Sequence, residues 1–373
     1  MRYRRFGRTN LNLSVFSLGT MRCLADAATL QAVVEGAIAH GINHIETAAA
    51  YGASEAYIGH ALRALGYPDL RITTKILPTG DATHVQQQIE QSLQRLGVDR
   101  LDGVALHGVN TPHHLAWLET EGMARLQQYQ ANGIIGALGF SSHGPLPLIL
   151  AAMETGHFDF VNLHYTYFQQ RNAPAVARAA ALDMGVFIIS PADKGGRLYE
   201  PSPTLQALCA PFHPLHWSYR WLLSQPSITT LSVGPATVAE LAFPLAVADQ
   251  VEPLSAAELA VGDRLAAALE NTLGTEHCRQ CYGCLPCPED IHIPEVLRLR
   301  NLTLAYGMEA FGKYRYGMFG RAGHWFAGQP ADGCTECGEC LPRCPCGLDI
   351  PRLLRQTHER LQGESRPRLW QGI

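Results

Sequence analysis

No stretch of this chain stays apolar for the roughly 20 residues that a membrane-crossing helix needs. The basic start, Met-Arg-Tyr-Arg-Arg-Phe-Gly-Arg, is followed by no apolar run of the kind that makes a signal peptide. Charge is scarce, at 17% of 373 residues, and the formal net charge is −4. That balance offers no basic field for a nucleic-acid backbone. There is no low-complexity segment, and the 47% hydrophobic fraction is that of a globular chain. No G-x-G-x-x-G follows any β-type run, so the fingerprint of a doubly wound dinucleotide fold is missing. No flavin motif is present either. The expectation is a cytoplasmic protein with neither a membrane nor a nucleic acid as partner.

What the chain does have is cysteine, and in an uneven distribution. Eight of its eleven cysteines fall into two runs near the C-terminus. The second run, Cys334-Thr-Glu-Cys337-Gly-Glu-Cys340-Leu-Pro-Arg-Cys344-Pro345, reads C-x2-C-x2-C-x3-C-P. The first, Cys278-Arg-Gln-Cys281-Tyr-Gly-Cys284-Leu-Pro-Cys287-Pro288, repeats it with one residue fewer before the fourth cysteine. This is the bacterial ferredoxin spacing for a cubane iron–sulfur cluster. Three cysteines at a pitch of three let one loop wrap three corners of a cube. Structural zinc more often takes two separated C-x2-C pairs, and disulfides belong to exported chains. Each run supplies four thiolates, so two [4Fe–4S] clusters are expected. In two-cluster ferredoxins the fourth cysteine of each run serves the other cluster. By that rule one cluster takes Cys278, Cys281, Cys284 and Cys344, and the other Cys334, Cys337, Cys340 and Cys287. Cys23, Cys209 and Cys346 are surplus.

Before about residue 270 the chain has a regular beat. Eight β-type runs, at 13–20, 44–49, 70–76, 102–109, 135–143, 160–166, 185–191 and 229–235, alternate with segments of helical periodicity. Eight such units over about 250 residues predict a (β/α)8 barrel. The runner-up is an open doubly wound sheet. Helical patterns at 256–273, 293–306 and 308–319 surround the cysteine runs, which lie too far apart for a compact two-hairpin ferredoxin. The expected organisation is a barrel over 1–270, a small, mainly helical ferredoxin-type domain over 271–360, and a tail over 361–373.

Barrel active sites lie at the C-terminal ends of the strands. There the sequence places Glu46 and Tyr51 after the second strand, Lys75 on the third and His107 on the fourth. Ser141 and His143 end the fifth, and Asn162 and His164 lie on the sixth. Lys75 is expected to depress the pKa of Tyr51 and make it a better proton donor. Glu46 would hold Lys75 charged, and His107 would hydrogen-bond a substrate carbonyl. Ser190-Pro-Ala-Asp-Lys194-Gly195-Gly196-Arg197, after the seventh strand, offers cations and glycines to a pyrophosphate.

The stretch Gly41-Ile-Asn-His-Ile-Glu46-Thr-Ala-Ala-Ala-Tyr51-Gly52-Ala-Ser54-Glu55 resembles the strand-two signature of the aldo/keto reductases. Thr73-Thr-Lys75, Leu101-Asp-Gly-Val-Ala-Leu-His107 and Ile135-Gly-Ala-Leu-Gly-Phe-Ser141 resemble the later family motifs, in order. The paired cysteine runs are similar to those of the family's iron–sulfur subgroup. The resemblance implies hydride transfer from NADPH or NADH to a small aldehyde or ketone. It makes Tyr51 the general acid, Lys75 its partner, His107 the orienting donor and Glu46 the supporting carboxylate. It assigns Thr20, Ser141, Asn162, Ser190, Lys194, Gly195, Gly234 and Glu240 to the cofactor. Several positions depart from the family pattern. Glu46 stands for an aspartate, Ser142 for an asparagine, Asn162 for a glutamine and Ile189 for a stacking aromatic. Glu240 falls near the arginine that would read a 2′-phosphate, and a glutamate there would accept from a free 2′-hydroxyl instead.

A hydride carries two electrons and a cubane passes one, and no converter between them is visible. This leaves three readings. The clusters of a carbonyl reductase are structural or regulatory; or they feed the barrel from a redox partner protein such as a ferredoxin; or the chain is a non-enzymatic electron carrier or sensor.

Overall fold

The chain begins as a hairpin because Asn10 takes the left-handed conformation (φ 57°) that a tight reversal needs. Strands β1 (Tyr3–Arg5) and β2 (Asn12–Ser14) pair antiparallel across it. The hairpin lays Phe6 against Phe160, with ring centroids 5.1 Å apart, and so closes one end of an eight-stranded barrel. The structure is a computed structural model and describes residues 1–363.

The barrel consists of eight parallel strands: β3 (Phe16–Gly19), β4 (His44–Glu46), β5 (Arg71–Ile76), β6 (Leu101–Leu106), β7 (Ile135–Ser142), β8 (Phe160–Leu163), β9 (Gly185–Ile188) and β10 (Thr230–Val233). All eight fall within the expected β-type runs, give or take a residue at their ends. The helices between them are α1 (Ala27–Ala39), α2 (Ser54–Ala64), α3 (Ala82–Leu96), α4 (Pro112–Trp117), α5 (Glu121–Ala131), α6 (Leu146–Glu154), α7 (Ala173–Ala181), α8 (Pro203–Cys209) and α9 (Pro214–Leu223). Start signals account for several of them. Asp26, Asp81 and Thr111 accept from the backbone N–H three residues on, and Gly97 ends α3 in the left-handed conformation. Phe6, Leu13, Phe160 and Phe187 pack together inside the barrel. Glycine is required where these rings press on a strand: a Cβ at Gly139 would run into Phe160, and one at Gly185 into Phe6.

After β10 come α10 (Ala242–Leu245), α11 (Ala256–Leu273), α12 (Ile293–Tyr306), α13 (Glu309–Tyr316) and α14 (Ile350–Leu361). A capping box between Ser255 and Glu258 starts α11. The cysteine runs lie in the loops before α12 and before α14. Among the described residues no helix is long and apolar enough to cross a membrane.

The division into compact units differs from the expected boundary near residue 270. Among the described residues one unit holds Met1–Gly195 and Ser218–Pro253; the other holds Gly196–Trp217 and residues 254–363. The physical reason is the set of contacts that α11 makes. Arg264 donates to Leu208 O at 2.9 Å, Trp217 Nε1 donates to Glu258 O at 2.8 Å, and Tyr306 donates to Leu265 O at 3.0 Å. Helix α11 and the segment containing α8 thus belong with the cysteine module. Helix α14 ends at Leu361, which is buried, and residues 364–373 of the expected tail lie outside the described part.

Candidate active site and metal centres

Parallel register brings the polar residues to one end of the barrel. Glu46 pairs with Thr73 across β4 and β5, Lys75 with Ala105 across β5 and β6, and Ser141 with Asn162 across β7 and β8. Lys75 is 2% exposed and Glu46 4%, and their charged groups are in direct contact. The ammonium also donates to Tyr51 Oη at 3.3 Å and to Thr47 O at 3.1 Å. Asn162 Nδ2 and Ser232 Oγ each donate to Glu46, at 3.4 Å. His107 lies edge-on to Tyr51, with ring centroids 5.6 Å apart. The four expected catalytic side chains therefore meet, and the longer glutamate still reaches the lysine.

Burial works against one expectation about this group. Burial pushes the Tyr51 hydroxyl above the ordinary tyrosine value rather than below it. The reason lies in its partner. Burial, helped by the positive charge of Lys194, pushes Lys75 well below the ordinary lysine value, and contact with Glu46 opposes this. Desolvation, not the Lys75 cation, is therefore the dominant influence on Tyr51 in the closed pocket.

Beneath this group runs a polar chain that the sequence pattern did not reveal. His44 bonds Ser17 Oγ through Nδ1 at 2.7 Å and Thr73 Oγ1 through Nε2 at 2.8 Å. Ser17 in turn meets Thr230 Oγ1 at 2.8 Å. Burial, then the charge of Lys75, lowers the His44 pKa to about 3, so the ring is neutral. Ser232 and Thr230 were legible in principle, because polar residues two apart on a barrel strand share a face.

The expected cofactor residues divide. Asn162 keeps a buried Oδ1 with no hydrogen-bond partner among the described residues, which suits an incoming N–H donor such as a carboxamide. Gly195 cannot be replaced without a Cβ meeting the Pro191 carbonyl, and Ser190 sits at φ 49° to turn the same loop. Thr20 instead accepts from Ser54 Oγ at 2.7 Å and donates to Glu46 O at 3.3 Å, bracing the end of β4. The Ser141 hydroxyl accepts from Gly108 N at 3.0 Å and so fixes the turn after His107. Gly234 gives its carbonyl to Arg22 at 2.7 Å. Glu240 is not the open acceptor expected: it pairs with Arg22 at 2.8 Å and accepts from Ala236 N at 2.9 Å. His143 and His164 stack edge to face at 4.6 Å.

The two cysteine runs are built alike despite the missing residue. In each, the first and fourth cysteines are partly buried, the second is exposed and the third is buried. Left-handed residues flank the second cysteine in both: Gln280 (φ 54°) and Tyr282 (φ 62°) around Cys281, and Glu336 (φ 56°) and Gly338 (φ 77°) around Cys337. Three of these four are not glycine, and such strain marks a loop shaped for a ligand. The runs also interlock. Arg343 Nη2 donates to Pro286 O at 2.9 Å, and Thr335 Oγ1 donates to Glu289 at 3.0 Å. Burial raises Cys278 to about 11, and the neighbouring thiols that add to this are Cys281, Cys344 and Cys346. Cys284 is pushed up to about 12, mainly by burial and then by Cys278. Cys340 is raised by burial and by Cys334, Cys337 and Cys287. The two runs therefore lie side by side, with Arg343, next to Cys344, reaching the carbonyl of Pro286, next to Cys287. Among the described residues no three His, Cys, Asp or Glu side chains are placed to hold a single metal ion. A cubane takes one thiolate at each iron, so its ligands stand apart.

Comparison with known proteins agrees with both halves. The aldo/keto reductase family model matches residues 16–266, and a 4Fe-4S dicluster domain model matches residues 277–349. An aldo-keto reductase of Mycobacterium avium (strain 104) is 30% identical over 233 residues, which is 61% of this chain and 79% of that protein. Pyridoxine 4-dehydrogenase of Escherichia coli (strain K12) is 27% identical over 227 residues, 56% of this chain and 77% of that one. The solved aldo-keto reductase of Bacillus halodurans superposes with a TM-score of 0.62 over 71% of this chain and 96% of its own, at 19% identity, a likeness of fold. The barrel, its meeting of Glu46, Tyr51, Lys75 and His107, and these matches lead to one conclusion: the chain belongs to the aldo/keto reductase family and carries a 4Fe-4S dicluster domain C-terminal to its barrel.

Proposed function

We propose that the barrel reduces a small aldehyde or ketone with NADPH or NADH, and that the C-terminal module holds two [4Fe–4S] clusters. The observation that carries this reading is the buried Lys75 ammonium, which meets the Tyr51 hydroxyl and the Glu46 carboxylate together. A bound nicotinamide supplies the hydride. Tyr51 gives its proton to the carbonyl oxygen as negative charge develops there. Lys75 stabilises the phenolate left behind, which is where its charge is needed. Glu46 offsets the desolvation of Lys75, and Asn162 and Ser232 hold Glu46 in place. His107 orients the carbonyl from beside the Tyr51 ring. Asn162 Oδ1 would accept from the carboxamide of a bound nicotinamide, and Lys194 and Gly195 would serve its pyrophosphate.

One cluster would be held by Cys278, Cys281, Cys284 and Cys344, and the other by Cys334, Cys337, Cys340 and Cys287.

A second reading has its own support. The Ser141 hydroxyl and the Glu240 carboxylate are already engaged within the protein, which weakens two of the expected nucleotide contacts. In that reading a one-electron donor such as a ferredoxin supplies the barrel through the clusters. Titration of anaerobic, cluster-loaded protein with NADPH and with NADH, monitored by nicotinamide fluorescence, separates the two. Saturation below about 1 mM with at least one nucleotide is expected. No binding of either up to that concentration would overturn the nicotinamide reading and leave the ferredoxin-fed one.

A further inference from the structure

Strands β3 and β10 are neighbours in the barrel, with Leu18 opposite Val233, so the loops that follow them leave its C-terminal end side by side. Three N–H donors converge there on one carboxylate. Arg22 Nη1 donates to Glu240 Oε2 at 2.8 Å, and Arg22 Nη2 donates to Oε1 at 3.3 Å. The backbone N–H of Ala236 donates to the same Oε2 at 2.9 Å. Arg22 is itself held in place, because Nη1 also donates to Gly234 O at 2.7 Å. A guanidinium fork beside a backbone N–H takes carboxylate and phosphate oxygens alike. The Glu240 carboxylate thus stands where the oxygens of a phosphate would. The Arg22 and Glu240 side chains are 23% and 24% exposed, so a solute can reach the pair. In barrels of this kind the loops after the last two strands are a frequent place for a phosphate.

We propose that Arg22 and the Ala236 N–H form a phosphate subsite that Glu240 keeps closed. The ligand class is a phosphate monoester. To enter, its phosphate displaces the Glu240 carboxylate from Arg22, whereas a ligand without the phosphate needs no displacement. Glu240 is therefore an internal competitor that selects against the phosphorylated ligand. No covalent bond forms or breaks; one anion replaces another on the same donors. Two molecules bring such a group to this end of the barrel. One is NADPH, whose ribose phosphate NADH lacks. The other is a carbonyl substrate that is itself phosphorylated. The subsite stands on its own donors, while its use by NADPH rests on the nicotinamide reading above.

Inorganic phosphate is the first probe, titrated by calorimetry into the full-length, cluster-loaded protein. Glu240→Ala is expected to bind it several-fold more tightly than the parent, and Arg22→Gln/Glu240→Ala to lose that gain. Glu240→Gln removes the charge at unchanged length and is expected to gain affinity too, which covers an alanine variant that fails to fold. No gain in either variant, or a gain that survives the loss of Arg22, would overturn the subsite. This arm involves no nicotinamide, so it reads out even where neither nucleotide binds. The second arm identifies the source. If the nucleotide supplies the phosphate, the ratio of NADPH to NADH affinity rises about tenfold in Glu240→Ala. If the substrate does, the KM for glyceraldehyde 3-phosphate falls by a similar factor while that for glyceraldehyde does not. Both ratios unchanged would overturn the role of Glu240 as a competitor.

Discussion

Tyr51→Phe is expected to lower turnover by about 10²- to 10⁴-fold, the usual range for loss of a positioned general acid. The substitution removes one oxygen and keeps the ring. The edge-on contact with His107 at 5.6 Å remains, as does the approach of Lys75 to the ring face, 4.9 Å from its centroid. Iron content, folding and nucleotide affinity are therefore expected to match the parent, so the loss falls on kcat. Tyr51 is only 8% exposed, and burial holds its proton firmly in the free pocket. Its acidity has to be supplied by Lys75 as the carbonyl oxygen becomes charged. Turnover within about threefold of the parent would remove Tyr51 from the proton-donating role.

Lys75→Met is expected to fail twice. It removes the cation that stabilises the phenolate, so activity is lost as in Tyr51→Phe. It also leaves Glu46 buried at 4% exposure without its counter-charge, which costs about 3–5 kcal/mol of barrel stability. The double change Glu46→Gln/Lys75→Met separates the two effects. A neutral carboxamide keeps an oxygen for Asn162 and offers an N–H that the Ser232 hydroxyl can accept, so most of the stability is expected to return while activity does not. Denaturant unfolding of the three variants and the parent, read from a barrel signal, measures this. Equal stability of the single and double variants would show that the buried pair is not where the energy lies.

The barrel was legible because its strands are short apolar runs at regular spacing, and period-two alternation puts Glu46, Lys75, Asn162 and His107 near one end. Spacing alone also read the cysteine runs, since the pitch of three is set by the cube. What stayed hidden depended on tertiary partners. Nothing local to Glu240 announces that Arg22, 218 positions away, will pair with it. Nothing near Ser141 shows that its hydroxyl will serve the backbone of Gly108. The direction of the Tyr51 shift depended on how deeply the pocket is buried, a quantity that a strand pattern does not carry. The grouping of α11 was hidden for a similar reason: it begins directly after the last barrel elements in sequence, yet it packs on α8 and α12. The left-handed residues around Cys281 and Cys337 are visible only in the backbone, because Gln280, Tyr282 and Glu336 are not residues that advertise that conformation.

The most direct test of hydride transfer at this barrel is isotopic. Cluster-loaded protein is given 4-deuterated NADPH or NADH and an activated aromatic aldehyde, and the alcohol is characterised by mass spectrometry and proton NMR. The account predicts deuterium on the carbinol carbon of the product. Alcohol formed without deuterium, with electrons drawn from a one-electron donor, would contradict it.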